Sequence, residues 1–263
     1  MMSQRYALLV IILLSAVTSR VGAQSYNPAT AGGYSARSLT IPKRYLRVDL
    51  APADYGYMDH GVINNDRGMK LGVWEADDVS LNLGAGAAYG ILDEFEIGGL
   101  LFPFLFYPDF DFGDMELYGR YAFLQGKAQL AFQFTMQIPT NTDFAIGIGL
   151  PARFTIGSSA RIDTGLELEL IFADDAVVNL DIPFALSFDV GDSGFLGLRS
   201  GLFLPDMEEL AVNLGVQGGF NVDGTVDLSA SFNWPGFLWT GPGDAINPDT
   251  FEIVVGASIF VDI

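Results

Sequence analysis

The chain has 263 residues and a formal net charge of −19, yet half of its residues are hydrophobic and its mean hydropathy is positive. So acidic a chain excludes nucleic acid as a natural partner, because phosphate backbones are bound by Lys and Arg. With no cysteine, it also excludes a disulfide framework and thiolate metal sites.

The first 23 residues read as a secretory signal peptide, removed on export. Met1 to Arg5 is a short basic start, Tyr6 to Val17 is apolar, and Val21-Gly22-Ala23 is a small-residue cleavage site. Cleavage takes away Arg5 and Arg20 and no acid, so the exported chain is more acidic still. No later run approaches the roughly 20 apolar residues of a membrane-spanning helix. Residues 24–39 are rich in Ser, Ala, Gly, Asn and Tyr without any period, which predicts a flexible N-terminal lead-in or a short plug segment.

From residue 40 to 263 the pattern changes to strict alternation. It is clearest between Lys127 and Ile156, where Leu130, Phe132, Phe134, Met136 and Ile138, and then Phe144, Ile146, Ile148 and Leu150, alternate with small or polar residues. Successive side chains of a strand face opposite sides, so this is a hairpin with one apolar and one wet face. Strands of ten or more residues are longer than soluble sandwiches need and long enough to cross a bilayer when tilted. The pattern predicts strands over 41–52, 79–91, 94–106, 115–124, 127–139, 143–156, 160–172, 176–190, 194–204, 208–220, 223–234 and 251–263. The expected fold is therefore an all-β, transmembrane, antiparallel up-and-down barrel of about twelve strands.

The connections alternate in length. Tight turns at Leu92–Glu94, Gln125–Gly126, Gly157–Ser159, Gly191–Ser193 and Asn221–Gly224 suit the periplasmic side, and longer segments at 53–78 and 235–250 suit the outside. Both termini are then periplasmic. Aromatics of outward parity fall at both strand ends: Tyr89, Phe95, Phe123, Phe154, Phe188 and Phe220 beside tight turns, Phe144, Phe172, Trp234 and Phe251 at the other end. Such rows are expected of interfacial girdles. The alternating run from Phe251 to Ile263 resembles the C-terminal strand by which bacterial outer-membrane barrels engage their assembly machinery, although an aromatic final residue is usual and here it is Ile263. The lipid bilayer and lipopolysaccharide are the remaining expected surroundings.

The segments Tyr89–Gly99 (YGILDEFEIGG) and Leu117–Thr140 (LYGRYAFLQGKAQLAFQFTMQIPT) resemble outer-membrane barrels of the phenol-degradation MetA-pathway transporter type. The resemblance implies a channel for small organic molecules. It implies no catalytic residue.

The other face of the strands would line a lumen. Its candidate selectivity residues are Glu96, Arg120, Arg153, Asp163, Glu167, Glu169, Asp181, Asp189 and Arg199, with acids in excess. A ring of carboxylates in a narrow pore favours cations. Strand pairing is expected to set Glu96 near Arg120, Arg153 near Asp163, and Asp189 near Arg199, as cross-strand braces or as a constriction. Alternation from Phe95 points Phe102, Phe104 and Phe106 inward as an apolar mouth, unless a bulge around Gly98-Gly99 or Pro103 flips them. The single histidine, His60, sits in a loop without a placed Ser partner, so an outer-membrane phospholipase is not expected. Loop acids such as Asp109, Asp111 and Asp114 match no calcium loop, and neither metal nor cofactor is predicted. The expected function is passive passage of small cationic, neutral or aromatic solutes through the outer membrane. The alternative is a closed structural or surface-interaction barrel.

Overall fold

The structure is a computed structural model that describes residues 33–51, 69–74, 79–107, 110–140, 142–173, 175–240 and 251–263. Its strands close into a twelve-stranded antiparallel barrel. In chain order these are β1 (Tyr45–Ala51, resumed by Met69–Trp74), β2 (Val79–Leu92), β3 (Phe95–Tyr107), β4 (Met115–Leu124) and β5 (Ala128–Ile138). The second half of the wall comprises β6 (Phe144–Gly149 and Ala152–Ile156), β7 (Ala160–Thr164 and Glu167–Phe172), β8 (Ala176–Val190), β9 (Gly194–Leu204), β10 (Ala211–Val222), β11 (Val226–Trp239) and β12 (Phe251–Asp262). Each strand pairs with its sequence neighbours, and β1 closes the wall by pairing with both β2 and β12.

Alternation decides which side of the wall each residue takes. On β5, Phe132 and Phe134 are 44% and 43% exposed, whereas Ala131 and Gln133 are 0% and 1% exposed. The same beat exposes Ile148, Phe154, Phe188, Leu196, Leu198 and Val216 around the outside. A continuous apolar belt of this kind is solvated by hydrocarbon rather than water. At the turn end of the belt lie the exposed rings of Phe123, Phe154, Phe188 and Phe220, and at the loop end Phe144 packs on Phe172 at 5.6 Å between centroids.

Several boundaries differ from the alternation pattern, each for a local reason. Residues 41–44 do not join β1, because Arg44 has a φ of 71° and turns the chain, its N–H bonding to the carbonyl of Gly90. β1 is interrupted after Ala51 and resumes at Met69 in the same direction between β2 and β12, so part of the expected first loop belongs to the wall. β10 begins at Ala211 behind a one-turn helix at Pro205–Met207 and ends at a turn in which Asp223 and Gly224 both have positive φ, the pairing that suits a tight hairpin. β11 runs on through Pro235 to Trp239, with the missing N–H absorbed by a register shift opposite Val212 and Leu214. His60 and the loop acids Asp54, Asp59, Asp66, Glu75, Asp77, Asp78 and Asp109 lie outside the described residues.

The apolar mouth is not formed by Phe102 and Phe104. Leu100 pairs with Gly86 but Phe102 with Ala85, so Leu101 is an extra residue that reverses the parity of the rest of the strand. Phe102 and Phe104 thereby share the outward face with Ala85 and Leu83; Phe102 is exposed and Phe104 packs against Phe110 and Phe112. The side chain of Phe106 lies outside the described residues.

Substitution of Phe134, at mid-height on the outer face, by Arg is expected to cost about 2–4 kcal/mol in urea unfolding of protein refolded into lipid vesicles. Thr135→Lys, one residue on and facing inward, should change the midpoint little.

Candidate functional site: the lumen and its N-terminal strap

Residues Gly33 to Arg44 form a strap that crosses the barrel interior at the turn end before entering β1. Ser35 is 0% exposed, and Tyr34, Leu39, Thr40 and Ile41 are buried. A segment lying inside a closed wall has no partner strand, so its backbone groups must find side chains. They do so on strands from all round the barrel. Asp189 on β8 accepts from the Ser35 N–H (2.9 Å) and hydroxyl (2.6 Å). Gln129 on β5 accepts from the Leu39 N–H (2.6 Å), and Glu96 on β3 from the Ile41 N–H (2.6 Å). Three arginines donate to strap carbonyls: Arg161 to Tyr34 (2.7 Å), Arg153 to Ser38 (2.7 Å) and Arg37 (3.2 Å), and Arg120 to Leu39 (3.0 Å).

These arginines are fixed from behind by acids on an adjacent strand or, for Arg161, on the same one. Arg120 pairs with Glu96 (3.2 Å), directly across the β3–β4 ladder. Arg153 donates to Asp163 (2.5 Å), its register partner between β6 and β7, and Arg161 reaches the second oxygen of the same carboxylate (2.8 Å). Both pairs follow the expected register. The expected Asp189–Arg199 pairing is not a register pair: Asp189 lies opposite Phe195 and Arg199 opposite Ala185, while Asp189 is bonded to the strap.

Apolar contacts add to this seal. Leu39 packs on Ala122 and Ala131, and Ile41 on Ala88 and Tyr118. The wall makes room with small residues; a Cβ on Gly90 would stand 2.1 Å from the carbonyl oxygen of Pro42. Arg37 forks onto Asp227 of β11, Nη2 to Oδ1 at 2.8 Å, and Asn221 also donates to that carboxylate. Tyr34 lies parallel to Phe195, with centroids 3.6 Å apart, and the Arg161 guanidinium stands 3.5 Å from the same ring centre.

Nearer the loop end the lumen wall changes character. Glu167 lies directly opposite Asp181, and Glu169 opposite Asn179, whose amide donates to it at 3.0 Å. Thr135 donates to Glu167 (3.2 Å), and Asn179 in turn accepts from the backbone of Asp206. Glu116 on β4 shares the inward parity of Tyr118 and Arg120. Arg199, on β9, sits in the row that joins Asp163, Ala185 and Gly215, four residues nearer the turn end than the row of Glu167 and Asp181. Among the described residues, no group of three or more His, Cys, Asp or Glu is arranged to hold a metal.

Of the nine lumen candidates, Glu96, Arg120, Arg153, Asp163 and Asp189 thus converge on the strap, while Glu167, Glu169 and Asp181 gather on β7 and β8. Arg161 and Phe195 contact Tyr34 of the strap and lie outside the lumen set read from the sequence. Arg161 shares the parity of Asp163, and Phe195 is an aromatic on the wet face next to a tight turn, so both signals were in the sequence.

Because Arg153 is almost wholly buried against Asp163, Arg153→Ala should destabilise the barrel by about 3–5 kcal/mol in urea unfolding, with part of the loss recovered in Arg153→Lys. An unchanged midpoint would mean that water takes over its role.

Neither a protein-family profile nor a curated sequence matches the chain. Its fold is similar to that of the NanC porin, at a TM-score of 0.56 and 7% identity, over 81% of this chain and 98% of that one. An outer membrane channel from Pseudomonas putida F1 gives a TM-score of 0.54 and 9% identity over 92% of this chain and all of its own. At these identities the likeness is one of fold: a barrel with the architecture of outer-membrane porins and channels.

Proposed function

We propose that this protein is an outer-membrane channel for small solutes that prefers cations and neutral molecules over anions, with the strap as its narrowest barrier. The observation that carries this reading is the segregation of lumen charge. At the turn end Arg37 of the strap and the inward-facing Arg47, Arg120, Arg153, Arg161 and Arg199 stand among Asp49, Glu96, Asp163, Asp189 and Asp227, whereas the described inward charges toward the loop end, Glu116, Glu167, Glu169 and Asp181, are all acidic. Field lines are focused in a narrow polar passage through a low-dielectric wall, so such an excess concentrates cations and raises the barrier to anions. The lower charges are consumed by pairing and by the strap, which makes them braces rather than a selectivity ring.

The apolar belt, the fold likeness to porins and channels, and the signal-like N-terminus support placement in the outer membrane after export. Tight turns and both ends of the described chain would then face the periplasm, with the acidic half of the lumen open to the outside. The alternating C-terminal strand suits recognition by the barrel assembly machinery, and lipopolysaccharide would surround the loop end. The resemblance of Tyr89–Gly99 and Leu117–Thr140 to MetA-pathway barrels favours small organic solutes among the neutral ones.

A closed barrel without transport remains the second reading, favoured by the depth at which the strap is buried. Single-channel recording in planar bilayers separates the two. In a KCl gradient the reversal potential should show cation preference, and replacing Glu167, Glu169 and Asp181 together by Gln, Gln and Asn should move it toward zero. Removal of residues 24–42 should raise the conductance several-fold. Absence of current both with and without the strap would leave only the closed barrel.

A further inference from the structure

We propose that solutes pass the strap along an uncharged track on β10 and β11, and that this track suits small neutral polyols. The strap leans on one side of the barrel. Its backbone is bonded to Glu96, Arg120, Gln129, Arg153, Arg161 and Asp189, which lie on β3 to β8. The inward side chains behind it are shut off from solvent, and Arg120, Gln133, Arg153 and Arg161 are all buried. β12 and β1 are closed as well, because Arg47, Asp49 and Ser258 are buried there in one bonded group. On the other side of the strap this reverses. Ala36 and Ser38 are exposed, and the inward residues Asn213, Gln217, Asn221, Ser229, Ser231 and Asn233 are half-buried.

The chemistry of the track differs from that of the rest of the lumen. On β10 the inward positions alternate amide and glycine, from Asn213 through Gly215, Gln217 and Gly219 to Asn221. Opposite the middle three on β11 stand Asn233, Ser231 and Ser229. A Cβ on Gly215 would lie 2.5 Å from Oδ1 of Asn233, and one on Gly219 2.7 Å from the ring of Phe195. The glycines thus let neighbouring side chains lie against the wall, and this side lacks the layer of long charged side chains that fills the other. Gln217 donates to Ser187 (3.1 Å) and Asn233 to Ser231 (3.3 Å), which orients both amides and leaves each further donor and acceptor capacity. Where an acid does occur, at Asp227, Arg37 neutralises it. A cavity of about 40 Å³ lined by Tyr34, Arg199 and Gln217, among others, continues the space beside the strap. Hydroxyls that shed water in a narrow passage need replacement hydrogen bonds, and amides and hydroxyls supply them without net charge. Inward rows recur about every 7 Å along a strand, so a chain of hydroxyls can pass from one row to the next without losing all its partners.

The track rests on the channel reading and names a route and a solute class for it, and the two fail differently. Because the chain has no cysteine, single cysteines report the route. In lipid vesicles, Ser229→Cys and Ser231→Cys should react readily with a membrane-impermeant methanethiosulfonate reagent, as read by mass. Ala131→Cys, behind the strap, should react on the order of a hundredfold more slowly, because reaction needs access to the thiolate. Equal rates at Ala131→Cys and Ser231→Cys would overturn the route. The solute class is tested by the swelling of vesicles that carry the protein in isosmotic arabitol. Swelling should be rapid with wild type and slower by about threefold or more with Gln217→Leu, which keeps the bulk and loses the hydrogen bonds. Gln217→Asn, which keeps an amide, should retain most of the rate. A rate unchanged in Gln217→Leu, or reduced equally by Leu and Asn, would overturn the polyol. Potassium current without arabitol entry would overturn the proposal and spare the channel, whereas the absence of both current and entry would remove both.

Discussion

Everything in this barrel derives from the requirement that a wall facing hydrocarbon leave no backbone N–H or C=O unpaired. An open sheet fails at its two edges, and closing β1 onto β12 removes them. Once the wall is closed, the period of the strand leaves each residue only two destinations. Phe132 and Phe134 go out, and Ala131 and Gln133 go in. A wall of twelve strands encloses a space that side chains alone can partly fill, and that space is where the function must be sought.

The strap obeys the same requirement by other means. It lies where no strand can pair with it, so guanidinium groups donate to its carbonyls and carboxylate or amide oxygens accept from its N–H groups. In effect Arg120, Arg153 and Arg161 on one hand and Glu96, Gln129 and Asp189 on the other stand in for a neighbouring backbone. Each arginine is useful there because its planar fork can bond a carboxylate behind it and a carbonyl in front of it at once. The charged residues that look like a selectivity ring are mostly a clamp.

Charge is then distributed along the pore axis by this division of labour. Where the strap is clamped, acids and bases are balanced and largely desolvated. Toward the loop end, Glu167 and Glu169 are bonded to Thr135 and Asn179 rather than to the strap.

The sequence by itself determined the barrel, its strand number and the direction of nearly every described side chain, because a two-residue period is a local property that strand formation cannot alter. It also placed Glu96 with Arg120 and Arg153 with Asp163, since hairpin register is set by turn length. The fate of Phe102 and Phe104 was not legible in it, because one bulged residue at Leu101 reverses parity and glycine and proline mark only where bulges are tolerated. Nor was the use of Asp189, Arg161 and Phe195: a short segment without period carries no signal of where it docks. That the strap threads the lumen and turns a row of charges into a clamp was decided by tertiary structure, because those contacts join residues far apart in the chain across an interior that exists only once the wall has closed.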